Sequence, residues 1–259
     1  MKVSIYDRGF NVPIIVKNER SLTHNNIAEL SGQLISDVVE NHECYDIKYY
    51  KFFVRTLGKT PYTLPVIISH YLRHKSEVMS GFKLQKGACV SISNGAWRSY
   101  NEQENGRTRL AQSLFVKKMI IHEDCSLCMF MNKVILDGYI CRGGHPNNPH
   151  SVFVRKTPHT GRKIVDVLIA VNRPRGTVNH KGFTPTKTDY LPLLFWDELS
   201  EEACKLQIGD RIQVEAIMQS RNYEKICGYN ADNLPIYCQH IAYELSTTRF
   251  DLIDEILNS

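Results

Sequence analysis

Residues 205–223, KLQIGDRIQVEAIMQSRNY, decide the fold. Gly209-Asp210 reads as a turn. Ile212, Val214 and Ala216 then alternate with Gln213, Glu215 and Ile217, the period of a half-buried strand. The strand runs into a polar segment in which Arg221 and Tyr223 stand two apart. Positions two apart share a face of an extended chain. A planar cation and an aromatic ring are therefore presented together, a pair suited to an anionic group and a flat ring. Residues 83–100, KLQKGACVSISNGAWRSY, echo this stretch. They repeat KLQ-x-G, an alternating strand through Ala88, Val90 and Ile92, and a basic-aromatic end at Trp97, Arg98 and Tyr100. Internal repetition of this kind sets the architecture ahead of any single element.

Outward from the two echoes, each half of the chain runs through one order of elements. In the first half, residues 26–37 alternate Ala28, Leu30, Gly32 and Leu34 on one side, as a half-buried strand does, although the composition also tolerates a helix. Residues 49–55 (YYKFFVR) are aromatic and β-prone. Residues 57–61 form a loop, 64–69 an apolar strand and 70–81 a short helix. The echo strand follows, then a turn at 102–106 and a closing strand over 114–121. In the second half, residues 133–141 form a strand and 143–149 a loop. Residues 152–155 (VFVR) begin a second strand and echo Phe53-Val54-Arg55. Residues 163–172 alternate over their full length. Residues 173–188 form a basic loop carrying Arg173, Arg175, Lys181 and Lys187. Residues 190–196 are a strand and 197–206 a short acidic helix. The echo strand comes next, then a loop over 226–239 and a closing strand over 241–250.

The pattern is all-β, with no run of βαβ crossovers. Five strands with a helix between the third and fourth is the layout of an OB-fold, a partly open Greek-key barrel. The expectation is two tandem OB-fold barrels with short helices. It divides the chain into an N-terminal arm (1–24), a first barrel (25–122), a linker (123–131) and a second barrel with a short tail (132–259).

A chain of 259 residues is long enough for two separate cores. No apolar run approaches the ~20 residues of a membrane span, and Asp7 and Arg8 interrupt the place where an export signal has its apolar core. The expected location is the cytoplasm, in association with the nucleoid. Eight cysteines are too few for a disulfide scaffold, so reduced thiols are expected. The net charge of +5 is uneven. Residues 1–131 hold 17 Lys and Arg against 12 Asp and Glu, whereas residues 132–259 hold 15 against 15. The basicity therefore belongs to the first half.

The second half carries an ordered set of motifs. Asn132-Lys133-Val134-Ile135-Leu136-Asp137-Gly138-Tyr139-Ile140 comes first. Arg155-Lys156-Thr157-Pro158 with Gly161, Ala170-Val171-Asn172-Arg173, and Thr188-Asp189-Tyr190-Leu191-Pro192-Leu193-Leu194-Phe195-Trp196 follow. Gly209 to Val214, Gln219 to Tyr223 and Ala242-Tyr243-Glu244-Leu245 complete the set. Together, over residues 132–250, they resemble the bacterial single-stranded-DNA-binding proteins. The first half resembles a diverged copy, as in the two-barrel version found in firmicutes. The resemblance implies a non-enzymatic protein that needs no cofactor. It implies binding of single-stranded DNA with little sequence preference, in replication, recombination or repair. It also implies stacking aromatics at Tyr190, Trp196 and Tyr223. The family's fourth aromatic falls near Arg175, whose guanidinium plane also stacks on a base. Cations on the same strands and loops then meet phosphates: Arg221, Arg173, Arg155, Lys156 and Lys187. The first-barrel counterparts are expected at Tyr71, Trp97 and Tyr100, with Arg55, Arg73, Arg98 and Arg107 as phosphate contacts. Two barrels per chain reach the family's four as a homodimer. The end of the chain, FDLIDEILNS, departs from the acidic tip through which the family recruits replication and repair proteins.

Rival readings attach to some of these residues. Trp196 either stacks on a base or packs in the core, and Phe153 and Phe195 suit a barrel interior. Cys125-x2-Cys128 with Cys141 and His145 has zinc-ligand types, but a single CxxC is a weak signal. No phosphate-binding loop or HExxH motif occurs. The functional alternatives are a primosome-like OB protein that binds other proteins, and an RNA-binding OB module. The latter would prefer RNA to DNA of the same sequence.

Overall fold

Two copies of one strand, nine and ten residues long, lie side by side at the centre of the molecule. Asn26–Leu34 (β3) reads NIAELSGQL, and Asn132–Cys141 (β10) reads NKVILDGYIC. They pair antiparallel, with Asn132 opposite Leu30, Val134 opposite Ala28 and Leu136 opposite Asn26. Exchanging the copies maps this register onto itself, so the pairing has two-fold pseudosymmetry. The computed structural model describes residues 3–7, 10–16, 25–104, 107–143, 152–157, 160–173, 187–230 and 232–253.

In the first barrel β3 is followed by β4 (Val39–Cys44), β5 (Ile47–Thr56), β6 (Thr63–Ser69), α1 (His70–Ser80), β7 (Cys89–Glu104), β8 (Arg107–Phe115) and β9 (Lys118–His122). In the second, β10 is followed by β11 (Val152–Lys156), β12 (Lys163–Asn172), β13 (Thr188–Trp196), α2 (Asp197–Ala203), β14 (Arg211–Tyr229) and β15 (Pro235–Leu252). β3 pairs with β5, β5 with β6, β6 in parallel with β8, β8 with β7, and β7 back onto β3. The second barrel closes in the same order through β10, β12, β13, β15 and β14. Each is a five-stranded OB barrel with its helix between the third and fourth strands. Outside them, Val3–Asp7 (β1) and Phe10–Val16 (β2) pair as a sheet of their own.

The closing contacts are duplicated too. Asn26 Nδ2 donates to Trp97 O at 2.7 Å while Trp97 N donates to Asn26 Oδ1 at 3.0 Å. Asn132 Nδ2 donates to Met218 O at 2.9 Å while Met218 N donates to Asn132 Oδ1 at 3.1 Å. Each buried amide satisfies a donor and an acceptor on the fourth strand that would be costly to leave unpaired. Gly32 and Gly138 occupy equivalent points. A Cβ on Gly32 would lie 2.2 Å from Arg55 O, and one on Gly138 2.5 Å from Ala170 O. The second strand can cross so closely only over a glycine. Between barrels, Tyr190 N donates to Ser99 Oγ at 3.0 Å, and its counterpart Thr63 N donates to Ser220 Oγ at 3.1 Å.

The structure corrects several sequence expectations. Residues 114–121 are the end of β8 and a separate β9, which pair with successive stretches of β7 in one register, Phe115 opposite Ala96 and Lys118 opposite Ser93. The VFVR segment is β11, an outer partner of β12, so it matches β4 in position, not β5. Much of the expected loop at 226–239 belongs to the β14–β15 hairpin, with Tyr229 opposite Pro235. That hairpin carries a Cys227–Cys238 disulfide, and a second disulfide joins Cys89 to Cys125. Four of the thiols expected to be reduced are therefore paired, because the β14–β15 hairpin brings Cys227 to Cys238 and the turn after β9 brings Cys125 back to Cys89. Among the described residues, no helix is long and apolar enough to cross a membrane.

Candidate nucleic-acid interface

Alternation sorts each strand into core and outer residues. On β5, Phe52 and Val54 are buried while Lys51, Phe53 and Arg55 face outward. On β12, Val165, Val167 and Ile169 are in the core while Asp166, Leu168 and Ala170 face outward. Pro65 lies opposite Phe53, and Pro192 lies opposite Leu168. With the prolines equated, Lys51 corresponds to Asp166, Phe53 to Leu168 and Arg55 to Ala170. On the third strands Thr63 corresponds to Tyr190 and Ser69 to Trp196. The asparagine clasps equate Trp97 with Met218, so Arg98 corresponds to Gln219, Tyr100 to Arg221 and Glu102 to Tyr223.

The first barrel's outer face interleaves cations with rings. Lys51 Nζ lies 6.0 Å from the centre of the Phe53 ring and 3.7 Å from Glu102 Oε1. The Arg98 guanidinium lies 5.0 Å over Phe115, which Tyr100 meets edge-on at 6.2 Å. Tyr100 also shares a hydrogen bond with Ser113 Oγ at 3.1 Å. Tyr49 stacks on His42 with centres 4.7 Å apart, and burial pushes the His42 pKa down.

The second barrel holds its cations in ion pairs. Arg155 meets Asp166 at 2.6 and 3.2 Å, and this hydrogen-bonded pairing raises the arginine's pKa. Arg173 meets Asp189 at 2.7 and 2.9 Å and also donates to Ser99 O. Asp189 is 1% exposed and accepts from Ser99 N, so this trio fastens the barrels together. Arg221 pairs with Glu244 at 2.8 Å and lies over Tyr223, whose ring stacks on His240. Arg162 lies 5.0 Å over Trp196 and is held there by Asp197. The pairing with Arg162 lowers the Asp197 pKa.

Between the barrels runs a groove of about 500 Å³. Lys51, Glu102 and Leu110 to Gln112 line it from the first barrel. Asp166, Pro192, Leu194, Tyr223 and residues 239–244 line it from the second. Its three acids are already engaged by Lys51, Arg155 and Arg221.

Of the residues expected to form the site, Tyr190, Trp196, Tyr223 and Tyr100 are half-buried. Tyr190 and Trp196 share the outer face of β13 with Pro192, and Tyr223 lines the groove. Arg55, Lys156 and Lys187 are exposed, and no ion pair joins them to other described residues. Arg155, Arg173 and Arg221, expected as phosphate contacts, each pair with a carboxylate. Trp97 is a further correction: it is 0% exposed, with Nε1 donating to Gln112 Oε1 at 2.7 Å, so no base can reach it. Tyr71 is exposed on α1 but does not correspond to Tyr190. Arg73 pairs with Glu77 at 3.3 Å. Arg175, Lys181, His145 and the Arg107 side chain lie outside the described residues. The zinc set does not assemble, because Cys125 is bonded to Cys89 and the Cys141 thiol donates to Leu168 O, within the second barrel. The sequence reading missed Lys51, Phe53 and Phe115. A signal for the first two was present in YYKFFVR, where Lys51, Phe53 and Arg55 alternate with the apolar Phe52 and Val54.

Residues 131–243 match the model of the single-strand binding protein family. The second barrel is thus similar in sequence to this family. No curated protein matches the sequence. The crystal structure of the wild-type single-stranded DNA binding protein from Thermus aquaticus is 16% identical and superposes with a TM-score of 0.59. The alignment covers 89% of this chain and 93% of that one. A deletion mutant of the Thermus protein gives 17% identity, coverage of 89% and 95%, and a TM-score of 0.60. At such identity the likeness establishes the fold, and it extends the tandem-barrel arrangement across both halves.

Proposed function

We propose that this protein binds single-stranded DNA without reading its sequence, with the strand laid across the outer faces of both barrels and the groove between them. The carrying observation is the division of labour between equivalent positions. The first barrel offers Lys51, Arg55 and Arg98 where the second has Asp166, Ala170 and Gln219. The second offers Tyr190, Trp196 and Tyr223 where the first has Thr63, Ser69 and Glu102. Cations track phosphates and release condensed counterions, while rings accept any base by stacking at ~1–3 kcal/mol each. Arg162 and His240 already sit on Trp196 and Tyr223, so a base takes the place of one planar neighbour or adds to the stack.

A role in covering strands exposed by replication, recombination or repair, in the cytoplasm, follows from this reading. So does a dimer of four barrels. Titration with oligo-dT is the test. Trp97 is sealed in the core, so quenching should come from Trp196 and weaken as salt rises. Absence of binding at low salt would remove the proposal. Equal or tighter binding of oligo-rU would favour the RNA alternative.

A further inference from the structure

We propose that Cys89, Cys125 and Cys128 form a thiol–disulfide exchange site, in which Cys128 attacks the Cys89–Cys125 disulfide and converts it into Cys125–Cys128. The proposal is independent of the single-stranded-DNA reading above.

The three cysteines converge where the chain leaves β9 for the second barrel. Cys125 is bonded to Cys89 on β7, with Cα atoms 5.1 Å apart. Cys125–Leu127 is a single 3-10 turn, capped by the Asp124 carboxylate, which accepts from Ser126 N at 2.7 Å. The turn closes with Cys128 N donating to Cys125 O at 3.0 Å. Such a turn holds its first and fourth Cα atoms within about 7 Å, and a disulfide needs about 4.4–6.8 Å. Cys125 is therefore within reach of two cysteines and bonded to one. Cys128 is a half-buried free thiol. It shares a hydrogen bond with the Ser91 side chain, and Ser91 lies two residues beyond Cys89, on the same face of β7. The other disulfide has no such third partner, because residues 228–237, between Cys227 and Cys238, hold no cysteine.

The step balances without an oxidant or a reductant. Cys128 Sγ, as the thiolate, forms a bond to Cys125 Sγ. The Cys89–Cys125 bond breaks, and its electron pair leaves on Cys89 Sγ. Cys89 is 3% exposed and Cys125 is half-buried, so attack falls on Cys125. The proton has a route. Ser91 Oγ also meets His122 Nε2 at 2.9 Å, and His122 lies opposite Cys89 on β9. A proton lost from Cys128 can pass through Ser91 to the imidazole and on to the Cys89 thiolate. Burial first, and then the charge of Asp124, raises the Cys128 pKa against the Ser91 hydrogen bond, so Cys128 rests as a thiol.

The exchange changes what the linker is tied to. The observed disulfide spans a sequence separation of 36 and staples the start of the linker to β7. The exchanged disulfide closes only the turn. The linker then stays on the first barrel through Ser31, whose Oγ donates to Met129 O at 2.6 Å and whose N donates to Met131 O at 2.8 Å.

The test uses the full chain, oxidised and free of added thiol. Samples are quenched in acid, unfolded, labelled with N-ethylmaleimide and digested with trypsin, and the peptides are identified by mass spectrometry. Residues 119–133 carry Cys125 and Cys128 on one peptide, and residues 87–98 carry Cys89 on another. Wild type should give two species. In one the peptides are joined and Cys128 is labelled. In the other Cys89 is labelled and the disulfide lies within 119–133. Cys128→Ala should lose the second species. Cys89→Ser treated with oxidised glutathione should close Cys125–Cys128 and leave both unlabelled. Circular dichroism melts check that the variants fold, and the wild-type peptides decide the matter without them. Cys89 never labelled in wild type, or labelled as much in Cys128→Ala, overturns the exchange. So does Cys89→Ser with Cys125 and Cys128 left unpaired. Cys227–Cys238 should stay intact throughout; its scrambling alongside would mean general reshuffling and would also overturn the site.

Discussion

The two barrels share one fold, one asparagine clasp and one glycine crossing, yet they dress the same outer positions differently. Where the first has Lys51, Phe53 and Arg55, the second has Asp166, Leu168 and Ala170. Where the second has Trp196 and Tyr223, the first has Ser69 and Glu102. The core obeys one rule in both copies because packing and satisfied hydrogen bonds leave little choice. Outer residues answer to the ligand, so duplication leaves them free to separate. The difference teaches that family likeness and electrostatic grip lie in different barrels. The second carries the family's sequence and neutralises its own arginines. The first has lost the motifs, and although Lys51 meets Glu102, no ion pair joins Arg55 or Arg98 to other described residues.

The largest expected effect comes from the second barrel. Trp196→Ala with Tyr223→Ala should weaken binding of labelled oligo-dT by about 30-fold or more at ~1–3 kcal/mol per lost stack. The salt dependence should not change. On the first barrel, Lys51→Gln with Arg55→Gln should cost about 25-fold at 0.1 M salt and flatten the salt plot by ~1.4, the loss of two phosphate contacts. Next comes an expected gain. Asp166→Asn frees Arg155 from its ion pair and should tighten binding about fivefold, with a slope steeper by ~0.7. The smallest effect is a contrast in stability. Asn26→Ala and Asn132→Ala each strand a buried N–H and C=O and should cost about 1–3 kcal/mol by urea unfolding. Because the clasps are equivalent, the two costs should agree within about 0.5 kcal/mol.

The architecture was legible because the KLQ-x-G echo and the order of the β elements are local patterns. So was the outer position of Tyr190, Trp196 and Tyr223, which follows from alternation on β13 and from the family motifs. What escaped depended on register. The KLQ-x-G echo places Trp97 in line with Gln219 by simple counting. A bulge in the pairing of β7 with β3 adds one residue there, with Asn94 at a positive φ of 54°. A one-residue slip exchanges the two faces of a strand. Trp97 therefore turns into the core and Arg98 turns out. The disulfides escaped for a related reason. Cys227 meets Cys238 only because the hairpin continues through a polar stretch that looks like a loop, and Cys89 meets Cys125 only after the chain returns from β9. The ion pairs of Arg155, Arg173 and Arg221 join residues 11 to 23 positions apart, and each partner is set by strand pairing.

The measurement that bears most directly on the division of labour is the salt dependence of oligo-dT affinity in two variants compared side by side. Lys51→Gln with Arg55→Gln should flatten it by ~1.4, and Trp196→Ala with Tyr223→Ala should leave it at the wild-type slope while affinity falls. A flattened slope in the aromatic variant and an unchanged slope in the cation variant would contradict the account.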